Sequence, residues 1–183
     1  MKKLSFVVLA FTAIAFTSCK DNEKKVEDPE VVTVDNTASE KEVYEISERE
    51  AEFNDPKVEA IFDQYIEVQE ALVNTDAEKT ASESSKLEVL IKEVEVNEAT
   101  QTAVAAMAAT EDVNVQREHF ETLTAGIEGM LEGALASGTL YKQYCPMAFN
   151  NKGAAWISSG KNILNPYFGD KMLKCGRVDS EIN

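Results

Sequence analysis

The chain has 183 residues, enough for one ordinary domain plus appended segments, and 44% of them are apolar, which is sufficient for a hydrophobic core. With 33 acidic against 18 basic residues the formal net charge is −15 at pH 7. A nucleic-acid backbone or an anionic lipid surface is therefore repelled, and nucleic acid is not an expected partner.

At the N-terminus Lys2 and Lys3 precede the apolar run "LSFVVLAFTAIAF", which has the length of a signal-peptide core and is short for a membrane span. The run meets "TSC", and these small residues before Cys19 resemble the lipobox of a bacterial lipoprotein. The resemblance implies a signal peptide over residues 1–18, cleavage before Cys19 and diacylation of its thiol. The lipid, not the acidic protein surface, then holds the chain at a bacterial membrane, expected to be the outer membrane on its periplasmic or surface face. Outside the cytoplasm thiols tend to be oxidised, and Cys145 and Cys175 are the two that remain.

Residues 19–54 are crowded with charge and lack a sustained apolar period, which predicts a flexible acidic tether. A coil of this length spans roughly 30 to 35 Å end to end. The "KDNE" that follows Cys19 also resembles the acidic signal that sends some lipoproteins to the cell surface.

The folded domain is expected over residues 55–183. Asp55 is a good N-cap with Pro56 at the first helical position, and Val58, Ile61, Phe62, Tyr65, Ile66 and Leu72 recur at helical spacing. A second helix follows after a very short turn, with Thr75 and Glu78 in capping-box register and Leu87, Leu90, Ile91 and Val94 as its apolar stripe. The alanine-rich "ATQTAVAAMAAT" predicts a shorter third helix. "DVNVQREHFETLTAGIEGMLEGALAS" predicts a long fourth, with Phe120, Leu123, Ile127, Met130, Leu131 and Ala134 inward. Four amphipathic helices with short connections point to a mostly α protein, an up-and-down four-helix bundle.

At Thr139 the pattern changes. "TLYKQYCPMAF" is aromatic-rich, "NNKG" is turn chemistry, "AAWISS" is strand-like and "NPYFGD" an Asn-Pro turn, which together predict a C-terminal hairpin or irregular arm packed on the helices. Gly153 and Gly169 are expected to supply turn conformations, and Trp156, Tyr167 and Phe168 to pack the arm down.

The arm holds two sulfur pairs. On an extended segment Cys145 and Met147 share a face; on a helical turn Met172 and Cys175 do the same. If the segment between them folds back, two thiols and two thioethers converge, a soft donor set that suits Cu(I) or Ag(I). The alternative is a Cys145–Cys175 disulfide stapling the arm, with both methionines as core filler. For Trp156 the functional alternative to packing is that its ring shields or contacts a bound ion.

Other chemistry finds little support. His119 is the single histidine, read as a partly exposed structural residue, and a di-iron carboxylate centre needs two Glu-x-x-His motifs. There is no C-x-x-C, P-loop or G-x-S-x-G pattern, so no enzyme activity is expected.

The segments "YCPMA", "GAAWISS", "NPYFG" and "MLKCG", in this order, resemble the signature of a domain family of unknown function, and a looser likeness reaches back through "QREHF" to Phe62. Members occur as free-standing lipoproteins and as C-terminal extensions of periplasmic adaptor subunits of heavy-metal efflux pumps. The resemblance implies binding or handing over copper or silver outside the inner membrane, with heavy-metal efflux components as partners. Cys145, Pro146, Met147, Met172 and Cys175 match the signature. A partial likeness to the Cys-Pro-Met-His motif of small heavy-metal modules breaks at Ala148, which stands where that motif has histidine.

Overall fold

The computed structural model describes residues 42–183. The expected signal peptide, the lipidation site Cys19 and the first part of the expected tether lie outside the described residues. Over those described, the protein is about half helical, with four long helices, one short helical turn and two small antiparallel sheets.

Helix α1 (Pro56–Val73) starts as its sequence dictates: the Asp55 carboxylate accepts from Lys57 N at 2.8 Å, and Pro56 occupies a position whose N–H needs no partner. Ile61, Phe62, Tyr65, Val68 and Leu72 are buried along one face. The helix ends in a Schellman arrangement, Thr75 N bonding Leu72 O at 3.1 Å and Asp76 N bonding Ala71 O at 2.9 Å. This corrects the expected cap of α2 (Ala77–Ile91). Thr75 takes the left-handed position that closes α1, at φ 53°, and Asp76 caps α2 by accepting from Lys79 N at 2.9 Å. The tight connection consumes Thr75, so a capping box on Thr75 and Glu78 does not form.

Asn97 caps α3 (Glu98–Ala108) by accepting from Thr100 N at 2.8 Å, and Asp112 caps α4 (Val113–Leu131) by accepting from Asn114 N at 2.9 Å. Each long helix packs against the next. The fourth helix is shorter than its apolar period suggests. Gly133 adopts φ 69°, and "LAS" beyond it forms a strand, β2 (Leu135–Ser137). Phe120, Leu123, Ile127 and Leu131 are buried as expected, while Met130 and Ala134 are only partly covered.

Strand β2 pairs antiparallel with β1 (Glu52–Phe53), inside the segment expected to be tether. Residues 42–54 run along the helices instead of leaving them. Tyr44 exchanges two hydrogen bonds with the Asn74 amide, Ile46 N donates to Glu70, Ser159 donates to Ser47 O, and Arg49 pairs with Glu59 and Asp63 at 2.6 and 2.8 Å. Ala51 is buried in the main core.

The C-terminal arm is a three-stranded antiparallel sheet in the order β4-β3-β5, formed by β3 (Leu140–Cys145), β4 (Ala154–Ser158) and β5 (Arg177–Ile182). β4 lies on α4, with Trp156 and Ile157 fully buried, and Ile157 N donates to the Tyr65 hydroxyl at 3.2 Å. Helices and sheet share one continuous apolar core. No helix among the described residues is long and apolar enough to cross a membrane.

Candidate functional site

Cys145 ends the central strand. Its register partner is Ala154 on β4, and its side chain has no solvent exposure. The chain then turns through Pro146 and Met147 into the short helical turn α5 (Ala148–Asn151), where Phe149, Asn150 and Asn151 all take positive φ, at 49°, 58° and 67°. Such a run of left-handed residues is uncommon and is favoured at asparagine, which occupies two of the three positions. Gly153 closes the turn at φ 81°, where a Cβ would collide with the Tyr144 hydroxyl.

Cys175 arrives from the other direction, between the 3₁₀ turn Gly169–Met172 and β5. Its N–H donates to Met172 O at 3.0 Å, and its carbonyl accepts from Asn165 Nδ2 at 2.7 Å. Asn165 is fully buried and holds the segment on both sides: its Oδ1 also accepts from Tyr167 N at 2.8 Å and Phe168 N at 3.2 Å, and its own N–H reaches Leu173 O at 2.9 Å. Sequence reading takes Asn165-Pro166 as a turn but does not reveal Asn165 as the clamp on Cys175. The signal available was the capacity of an asparagine amide to bond backbone groups two and three residues on.

These two routes bring the Cys145 and Cys175 sulfurs to 2.9 Å, without a covalent bond between them. The hydrogen bond to Cys145, then burial, then the charge of a Cys145 thiolate raise the Cys175 thiol from its ordinary 9.0 to about 11; the backbone N–H of Met147, bonded to the same sulfur, acts in the opposite sense. The Cys-Pro-Met turn is thus joined to Cys175 twice, sulfur to sulfur and amide to sulfur.

The methionines divide. Met147 is 47% exposed, so it does not serve as core filler. Met172 is partly buried at the end of the 3₁₀ turn, where its carbonyl supports Cys175. Among the described residues no group of three or more His, Cys, Asp and Glu side chains is gathered where it could hold a metal ion, so a metal here would depend on the two cysteines and on methionine sulfur. His119 is partly exposed on α4.

Beneath the sulfurs lies an aromatic support. Trp156 and Phe149 meet Tyr167 edge-on, Tyr167 lies 5.9 Å from Phe120, and Phe120 stacks on Tyr65 at 5.1 Å. The Tyr167 hydroxyl donates to Ala155 O at 2.6 Å, and Tyr65 shares a hydrogen bond with Thr124 at 2.9 Å. Burial raises the pKa of both phenols, so they stay neutral. With the Gln69 amide turned so that its oxygen faces the indole, Trp156 Nε1 donates to it at 3.3 Å and Gln69 donates to Ile157 O at 2.8 Å. The far edge of the Trp156 ring packs where a Gly176 side chain would stand, directly after Cys175.

Comparison with known families finds one match within the chain. A domain of the family described as protein of unknown function (DUF3347) is found at residues 61–138. The match covers α1 from Ile61 through the four long helices to Gly138 and ends before β3, so Cys145, Met147, Met172 and Cys175 all lie beyond it. No curated protein and no solved structure matches the chain.

Proposed function

We propose that the protein is an extracytoplasmic lipoprotein, anchored through Cys19, that takes one soft metal ion as cargo, Cu(I) or Ag(I), for metal tolerance or for transfer to heavy-metal efflux components, without catalysis. Cys145 and Cys175 are its thiolate ligands and Met147 and Met172 its thioether ligands. In this reading the long helices form an up-and-down bundle that serves as a rigid base.

The observation that carries the proposal is the meeting of two thiols from distant segments at 2.9 Å beside an exposed Met147. A disulfide bond is about 2.05 Å long. Two thiolates each about 2.3 Å from one tetrahedral metal stand about 3.8 Å apart. The pair therefore sits roughly 0.9 Å from either arrangement, and small side-chain rotations reach both. Exposure of Met147 favours metal, because a disulfide has no use for a thioether at the surface and an ion entering from solvent does.

A second reading is favoured by a different observation, the complete burial of Cys145. It is a non-catalytic structural or interaction domain closed by a Cys145–Cys175 disulfide. A thiol count on unreduced protein, followed by anaerobic Cu(I) titration after gentle reduction, separates the two. Metal binding predicts one Cu(I) per chain, lost in Cys145→Ser and weakened in Met147→Leu. A chain without free thiols that takes up no copper after reduction refutes it.

A further inference from the structure

Arg117, in the second turn of α4, is only 6% exposed and reaches between the end of α1 and the Asn165–Gly169 segment. A guanidinium has five N–H donors. Nε donates to Pro166 O at 2.8 Å, and Nη2 spends both of its hydrogens, on Leu72 O at 3.2 Å and Thr75 Oγ1 at 3.1 Å. The two Nη1 hydrogens have no partner among the described residues. Nor does any carboxylate of those residues form an ion pair with Arg117; burial lowers its pKa and Asp170 only partly offsets this from longer range. The guanidinium is thus bonded solely to neutral oxygens, and its free nitrogen Nη1 is not sealed from solvent, so an anion entering from outside can meet the unpaired charge there.

Arg117 lines a cavity of about 170 Å³ whose other walls include Phe149, Tyr167 and Phe168, with Asn114 and Glu118 from the exposed side of α4.

We propose that this cavity binds a small monocarboxylate with an aromatic or aliphatic body, the carboxylate on Arg117 Nη1 and the body against the Phe149, Tyr167 and Phe168 rings. The volume slightly exceeds the roughly 150 Å³ of a dry cavity that admits benzene, so one six-membered ring with its carboxylate is the right scale. A phosphate dianion is disfavoured, because one nitrogen offers it too few donors and Glu118 and the net charge of −15 repel it.

The test is calorimetric and NMR titration of the full chain with sodium phenylacetate, with phenylacetamide as the uncharged control. Phenylacetate is expected to bind saturably, and the amide at least about tenfold more weakly because it lacks the charge-assisted bond. Glu118→Gln should tighten phenylacetate. Asn114→Trp, a substitution at an exposed wall position outside the Arg117 hydrogen bonds, should abolish binding while circular dichroism and melting temperature stay unchanged. Absence of saturable binding, equal affinity for the amide, or full binding by a folded Asn114→Trp variant each overturns the proposal.

Discussion

Oxidising Cys145 and Cys175 to a disulfide should stabilise the domain by an amount set by the chain between them. The cysteines are 30 residues apart. Closing a loop of that size removes about 12 cal/mol/K of entropy from the unfolded chain, which is about 3.6 kcal/mol at 25 °C. For a domain of this size that corresponds to a rise in melting temperature of roughly 10 °C. The native state opposes little of this, because the sulfurs already stand at 2.9 Å and need only a small approach. The measurement is urea unfolding of oxidised protein, with the oxidation state verified by thiol titration, against the same protein held in a phosphine reductant. A Cys145→Ser/Cys175→Ser variant should respond to reductant not at all. If the verified disulfide leaves the midpoint unchanged or lowers it, the native positions of the two segments are incompatible with a bond, and the placement argued for Cys175 is wrong.

Raised above its ordinary 9.0 to about 11, the Cys175 thiol binds its proton more tightly in the folded state than in the unfolded. Its contribution to stability is therefore complete below pH 9 and is lost as pH climbs through about 11, so reduced protein should weaken across that window more than the Cys175→Ser variant does, as followed by denaturation at fixed pH steps. Gly169→Ala should be among the most damaging single changes: φ is 59°, and a Cβ would stand 2.3 Å from Thr75 Oγ1 and 2.9 Å from Val73 O. Strain and overlap together predict a loss of about 2 to 4 kcal/mol in chemical denaturation. Asn165→Ala removes the amide that bonds Cys175 O, Tyr167 N and Phe168 N. It should cost about 2 kcal/mol and speed alkylation of Cys175 by iodoacetamide; unchanged alkylation would show that the loop is held by something else.

The helices were legible because their signals are local. Asp55-Pro56 opens α1 and the apolar repeat through Ile61, Phe62, Tyr65 and Leu72 faces the core, all within neighbouring residues. What escaped depends on partners far along the chain. Thr75 and Asp76 are adjacent and both able to cap; the choice falls to the Schellman closure of α1 and to Arg117, 42 residues on, which bonds the Thr75 hydroxyl. Residues 42–54 look like solvated tether by composition, yet Ala51 enters the core and Glu52–Phe53 pairs with a strand that the helical pattern of α4 had concealed. Among the sulfur residues, spacing placed Cys145 and Met147 on one face, whereas the turn after Pro146 sends one into the core and the other to solvent. No periodicity encodes that, because the left-handed run that begins at Phe149 is neither strand nor ordinary helix.

The same asymmetry decides which sulfur can move. Cys145 ends a strand paired on both sides, with β4 through Ala154 opposite Cys145 itself and with β5 over Leu140–Tyr144, and it is sealed from solvent. Shifting it means disturbing the core beneath Trp156 and Tyr167. Cys175 sits on a connecting segment, partly exposed and fixed mainly by the Asn165 amide, its own bond to Met172 O and the Met147 N–H. Local openings draw on such segments, since few buried contacts resist them. Whichever change the pair undergoes, approach to a bond or separation around an ion, the displacement therefore falls on Cys175. The two outcomes then differ in Met147: a bond leaves its thioether in solvent, whereas metal uptake draws it in, so a shift of the Met147 methyl resonance in NMR spectra of the reduced protein on adding Ag(I), or Cu(I) without oxygen, reads out the ligand set directly. An unshifted Met147 methyl at full metal occupancy would remove Met147 from it.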